Sequence, residues 1–194
     1  MGVIGLGIGT LATYGKPGDH YTFYEINPQV IELAQRDFYF LRDSAAKVNI
    51  VLGDARLSLE RQAPQGFDVL AVDAFSGDAI PVHLLTREAF ELYFHHLKPD
   101  GVLAVHISNN YLNLRPVVAR AAAWLRKPAI LVVNEDDKAN GIYRSSWVLI
   151  AANADFFEAP EIKRAAQPLP SAAHVKLWTD DYSNLFVILK WKMR

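Results

Sequence analysis

A run of glycines and three well-spaced acids carry the first chemical signal. Gly5, Gly7 and Gly9 stand in Gly5-Leu6-Gly7-Ile8-Gly9-Thr10, after an apolar opening and before a short helical pattern. Glycines at a strand-to-helix turn let the backbone approach a ligand and let helix and strand pack closely. The spacing is G-x-G-x-G. A dinucleotide fingerprint has G-x-G-x-x-G or A, and Thr10 holds that last place here. Glu25 lies about twenty residues past the glycines, where an acid bonds a ribose diol. A purely structural turn and a solvated strand-end acid are the alternative readings of these two features.

Asp54 follows the next apolar segment, in Gly53-Asp54-Ala55-Arg56. A carboxylate there, beside Ala55, can accept a hydrogen bond from an adenine amino group, or it can cap the helix that follows. Asp73 ends the apolar run 67–73, and Asp78 sits in the loop Ala74-Phe75-Ser76-Gly77-Asp78-Ala79-Ile80-Pro81. An acid at the end of a buried strand is expensive unless it is used or paired, and long loops in compact domains are often lids. The bland alternatives are a turn acid at Asp73 and a solvated loop acid at Asp78.

Other chemistry-bearing residues carry less. His95-His96 are adjacent on a helix and point different ways, so they read as surface or partly packed rather than as metal ligands. His83 and His106 are not spaced as a ligand pair, though His106 at a strand end can line a pocket. No G-x-S-x-G elbow is present. Asp180, Asp181 and Tyr182 either close over the site or form a solvated turn. Trp178 and Trp191 read as core cover, and Lys190, Lys192 and Arg194 as a solvated terminus.

The elements that must position these residues alternate. Strands are expected at 1–6, 20–25, 48–52, 67–73, 101–107, 129–133 and 146–151. Helices are expected at 10–14, from Asn27-Pro28 through Phe38 and Leu41, at 56–61, after Thr86, and at 116–125. Asn27 reads as an N-cap with Pro28 at the first helical position, and Lys98-Pro99-Asp100-Gly101 reads as a tight turn. The pattern predicts an α/β fold: a doubly wound, mostly parallel, seven-stranded sheet of Rossmann-like, class I methyltransferase type, ending in an antiparallel hairpin. Ligands in such sheets bind outside the carboxyl ends of the strands.

Composition sets the outer limits. The chain has 194 residues, 51% apolar and 21% charged, which is globular and enough for a core. It reads as a single domain over residues 1–194. The absence of cysteine excludes disulfide scaffolds, cysteine–zinc sites and thiol nucleophiles. A formal charge of −1 provides no global basic field for nucleic acid. No apolar stretch approaches the ~18 residues of a spanning helix. A secretory leader is not expected, and Leu6 stands where a myristoylation signal has Ser or Thr. Because a strand opens the chain directly, a longer native protein is expected.

Gly53-Asp54-Ala55-Arg56, residues 67–73, Leu84-Leu85-Thr86-Arg87-Glu88 and Leu97-Lys98-Pro99-Asp100-Gly101-Val102-Leu103 resemble, in order and spacing, the polyamine aminopropyltransferase (spermidine synthase) family. Residues 73–81, His106-Ile107-Ser108-Asn109 and Thr179-Asp180-Asp181-Tyr182-Ser183-Asn184 are similar to its spermidine-synthase-like branch, often fused to membrane segments. The resemblance implies a cytoplasmic transferase, or one on the cytoplasmic face of a membrane. It would move an aminopropyl group from decarboxylated S-adenosylmethionine to an amine such as putrescine, without a metal. A homodimer fits the same resemblance. Carried over by position, Gly5, Gly7, Gly9 and Ala55 line the nucleoside site, Glu25 binds the ribose and Asp54 the adenine. Asp73 is the base and also touches the donor, while Asp78 and Tyr182 meet the amine. Three departures stand out. Ile8 replaces an acid of the family's glycine loop, Asp78 lies five residues past Asp73 in an altered register, and the family's N-terminal β-rich domain is absent. Methyl transfer from S-adenosylmethionine is the enzymatic rival. A nucleoside-sensing or assembly domain of a larger protein is the non-catalytic one, and an NAD oxidoreductase is a distant fourth.

Overall fold

The structure, a computed structural model, describes residues 1–74 and 81–190. Eight strands form one sheet in the order β3-β2-β1-β4-β5-β7-β6-β8. They are β1 (Gly2–Ile4), β2 (His20–Glu25), β3 (Lys47–Leu52), β4 (Phe67–Val72), β5 (Leu97–His106), β6 (Ala129–Asn134), β7 (Ser145–Ala151) and β8 (Ala166–Gln167). The first five pair in parallel, β7 runs antiparallel between β5 and β6, and β8 adds two residues antiparallel to β6. The expected mostly parallel sheet with its antiparallel hairpin is therefore present. The short strand β8, in a tail with no strand-like sequence signal, makes the count eight rather than seven.

Both faces of the central strands are buried. Val3, Tyr21, Phe23 and Ala71 pack in one core cluster. Their chain neighbours Ile4, Tyr24, Leu70 and Val72 pack in the other, across the sheet. Successive side chains on a strand point to opposite faces, so strands covered on both sides must be apolar throughout. Among the described residues, four helices supply cover, α1 (Pro28–Arg36), α2 (Ala55–Arg61), α3 (Arg87–His96) and α4 (Arg115–Trp124), while α5 (Pro160–Ala165) buries no residue. Residues Thr10–Tyr14 form a 3-10 turn rather than an α-helix.

Asn27 caps α1 as expected, its side chain accepting the Gln29 amide at 2.9 Å. The helix stops at Arg36, short of Phe38 and Leu41. The guanidinium of Arg36 forks onto the neighbouring Asp37, and Leu41 instead fills the hollow beneath Gly9. At the start of β5 the pairing jumps from Phe67↔Leu97 to Val69↔Val102. The expected turn at 98–101 is thus a bulge inside a continuous strand, entered directly from α3. His96, expected near the surface, is fully buried at the end of α3, where its Nδ1 accepts the Gln65 amide at 3.3 Å. Burial, then the nearby His95, holds it below its ordinary pKa, in the neutral form.

Candidate functional site

The carboxyl ends of β1, β2 and β4 and the residues after β3 open on one cavity of about 500 Å³. Gly5, Leu6, Gly7 and Ile8 form one wall, Glu25 and Ile26 a second, and Gly53, Asp54 and Ala55 a third. Asp73, Ala74, Pro81, His83 and Leu84 close the rim. The sheet order makes this convergence: β1 lies between β2 and β4, so acids distant in sequence arrive side by side.

The glycine turn is shaped by two different needs. Gly5 has φ +95°, and a Cβ there would strike the backbone carbonyl of Asp73. Its absence lets the ends of β1 and β4 close on each other, sealed by the Asp73 amide on the Ile4 carbonyl at 2.8 Å. Gly7 also has positive φ (+53°), but a Cβ would meet nothing within 4 Å. It is exposed and lines the cavity, so a ligand can approach its backbone. Gly9 is buried against Leu41 and is not among the cavity-lining residues.

Glu25 is buried, and both its oxygens accept backbone N–H groups: Oε2 from Leu6 at 3.0 Å and Oε1 from Asn27 at 2.9 Å. It therefore ties the glycine loop to the start of α1. Each oxygen has a second acceptor site besides these bonds, and Glu25 lines the cavity. Asp54 caps α2 through Oδ1, which accepts the Leu57 amide at 2.9 Å, and its Oδ2 lies 2.9 Å from Nε2 of His83. Burial alone would raise this carboxyl, but the Leu57 amide and then His83 outweigh it and hold it below the ordinary carboxylate range. The capping and lining roles of Asp54 coexist.

Asp73 is paired with His106, Oδ1 to Nδ1 at 2.6 Å. The other ring nitrogen of His106 lies 2.7 Å from the Ser108 hydroxyl oxygen, which accepts the Ser146 amide at 2.8 Å. The ring also stacks on Trp147, with centroids 4.7 Å apart and planes 16° apart. The sequence offered His106 as a strand-end candidate. The parts played by His83, Ser108 and Trp147 left no local signal, because they depend on which strands become neighbours.

Asp78 lies outside the described residues. Tyr182 is not among the cavity-lining residues; its ring sits against Lys176, 4.2 Å from ammonium to centroid, in a tail turn bridged to Thr179. Asp180 in the same turn grips Arg56, with bonds of 2.7 and 2.5 Å, and accepts the Thr86 hydroxyl at 2.8 Å. Arg56 also donates to the His83 carbonyl at 3.1 Å. The tail is thereby tied to the cavity wall without entering it. A larger groove of about 910 Å³ lies at the opposite, amino ends of the strands, lined by Asp19, Lys47, Asp68 and Lys98. It lacks the glycine loop and the row of acids.

No protein-family model matches the chain. It is 36% identical over 109 residues to a polyamine aminopropyltransferase of Vibrio vulnificus, covering 54% of this chain and 36% of that protein. It is 34% identical over 113 residues to an N-terminal histidine N-methyltransferase of Emericella nidulans, covering 56% of this chain and 20% of that one. The chain thus spans about a third or less of these curated relatives. In fold it matches a probable spermidine synthase from Corynebacterium glutamicum at TM-score 0.67 and 21% identity, over 95% of this chain and 73% of that one. It matches an O-methyltransferase of Bacillus cereus, solved in complex with SAH, at TM-score 0.55 and 16% identity, over 77% and 72%. Over about half of its length the chain is similar in sequence to polyamine aminopropyltransferases, and its fold is the methyltransferase-like α/β fold that the spermidine synthase and O-methyltransferase structures share.

Proposed function

We propose that the cavity binds an adenosyl sulfonium and that the chain transfers the aminopropyl group of decarboxylated S-adenosylmethionine to an amine. The observation that carries this reading is the convergence of Glu25, Asp54 and Asp73 on one cavity beside the Gly5–Gly7 backbone. The second acceptor sites of Glu25 take the ribose hydroxyls, and Asp54 takes the adenine amino group. Asp73 at the lip faces the sulfonium end.

The chemistry gives Asp73 its task. An alkylamine is protonated at neutral pH, like a lysine near pKa 10, and cannot attack until a base takes the proton. The freed nitrogen forms a bond to the carbon beside the sulfonium, the carbon–sulfur bond breaks onto sulfur, and methylthioadenosine leaves. The His106–Asp73 bond fixes the orientation of the carboxylate, which the proton taken from the amine neutralises. Most of the remaining acceleration is alignment of two bound reactants.

One observation favours methyl transfer instead. Ile8, 37% exposed on the cavity wall, puts an apolar side chain where the donor's aminopropyl ammonium would want an acid, and a methyltransferase stands among the relatives. Mass spectrometry with both donors and a panel of amines separates the two. Methylthioadenosine is the expected product; S-adenosylhomocysteine from S-adenosylmethionine would assign methyl transfer. Neither product, with the nucleoside still bound, would leave a binding domain.

A further inference from the structure

The hydrogen bonds behind Asp73 form a chain that begins on another strand. His106 ends β5, and Ser108 follows two residues later. β7 fixes both. The Ile107 amide donates to the Ser146 carbonyl at 2.9 Å, and the buried Ser146 returns its own amide to Oγ of Ser108 at 2.8 Å. The adjacent Trp147 carries the His106 ring on its face, which sets the ring plane. Nδ1 of that ring lies 2.6 Å from Oδ1 of Asp73, and Nε2 lies 2.7 Å from Oγ of Ser108. Each gap is short enough to need one proton in it. An ionised carboxylate has none to give, so the proton beside Asp73 sits on Nδ1. The proton beside Ser108 then decides the charge of the ring. Carried by Oγ, it leaves a neutral imidazole; carried by Nε2, it makes an imidazolium.

We propose that Ser108 is a positioning residue for the reaction: its hydroxyl, accepting the Ser146 amide, donates to Nε2 and holds His106 as the neutral Nδ1–H tautomer that faces Asp73. The proposal rests on the transferase reading above and adds the group that keeps its base active. A neutral Nδ1–H orients the carboxylate and leaves its charge intact. The proton of the amine goes to the other oxygen, Oδ2, and the Nδ1–H bond to Oδ1 persists through the step. An imidazolium in the same place would stabilise the ionised carboxylate and lower its affinity for that proton, the opposite of what a general base needs. The Trp147 face and the Asp73 charge both favour the imidazolium. Ser108 opposes them, because its hydroxyl proton and a proton on Nε2 cannot share one 2.7 Å gap.

Nitrogen-15 NMR of the whole chain reads the ring without any substrate, since protonated and bare imidazole nitrogens differ widely in shift; His106→Gln identifies the resonances. Near neutral pH the native chain should show Nδ1 protonated and Nε2 bare. In Ser108→Ala, Nε2 should gain a proton and turnover at saturating donor and amine should fall at least about tenfold, part of what a general base supplies. Methylthioadenosine affinity by calorimetry should stay unchanged. Ser108→Thr, which restores the hydroxyl, should recover most of the turnover and the bare Nε2. A protonated Nε2 in the native chain, native turnover in Ser108→Ala, or equal losses in the Ala and Thr variants would overturn the proposal. The two readings fail separately. No methylthioadenosine from any amine, beside the expected spectrum, removes the transferase and keeps the tautomer assignment. A charged ring in a chain that does form methylthioadenosine keeps the transferase and removes the part given to Ser108.

Discussion

Asp73 is held by restraints on both its backbone and its side chain: its amide on Ile4, its carbonyl packed against Gly5, and its carboxylate on His106. Its own carboxylate makes no contact that the glycine turn needs. Asp73→Asn keeps the shape and the bond to His106 but removes the basic oxygen pair. Nucleoside affinity should be spared while turnover falls by ~10²–10⁴, the usual size of a general-base effect; calorimetry and product formation measure the two. Equal loss of both would mean that Asp73 only shapes the cavity. At this scale the acids themselves were legible, because each follows an apolar run that ends abruptly. Their partners were not. His83 and His106 are far from Asp54 and Asp73 in sequence, and nothing local in either histidine marks it as a hydrogen-bond partner.

Elements deliver these residues through their ends. Asp54 and Thr86 cap α2 and α3, and the tail turn around Asp180 reaches both helices through Arg56 and Thr86. The hydrogen-bonded Arg56 guanidinium, against a smaller opposing effect of burial and with help from Thr86, holds the Asp180 carboxyl below the ordinary carboxylate range. The sign follows. A carboxyl with a depressed folded pKa adds stability that is full above its unfolded value near 3.9 and drains away as pH falls through the folded one. Asp180→Asn should therefore lower stability at neutral pH and flatten its fall below about pH 4, seen in urea melts across pH. The effect should stay below about 1 kcal/mol, since the Asp180 side chain is 43% exposed. An undiminished acid limb would show that the latch adds nothing. Sequence pattern located the caps of α1 and α3 because Asn27-Pro28 and Thr86 have local chemistry. The end of α1 escaped it because Phe38 and Leu41 keep a helical spacing after the helix has stopped.

The described residues form one sheet whose central strands are buried on both faces, and the tail completes its larger core. Val175, Trp178 and Ile188 are all buried with β5, α3 and α4 residues such as Leu103, Tyr93 and Val118. The alternation of strands and helices made the sheet readable, and Trp178, read from the sequence as core cover, is buried in that core; the burial of Val175 and Ile188 was not readable, since it depends on space left by other elements. Trp178→Ala should cost about 3–5 kcal/mol and remain a single transition by denaturant unfolding; a small loss, with early hydrogen exchange confined to the tail, would make the tail a separate appendage. The central claim is that the row of acids holds a nucleoside, and Glu25 tests it most directly. Glu25→Gln leaves one of the Leu6 and Asn27 amides without its carboxylate oxygen and weakens the ribose acceptor. Calorimetry with methylthioadenosine should show binding to the native chain and at least a tenfold loss in Glu25→Gln, at a temperature where both are folded. Affinity unchanged by that substitution, or no nucleoside binding to the native chain at all, would contradict the account.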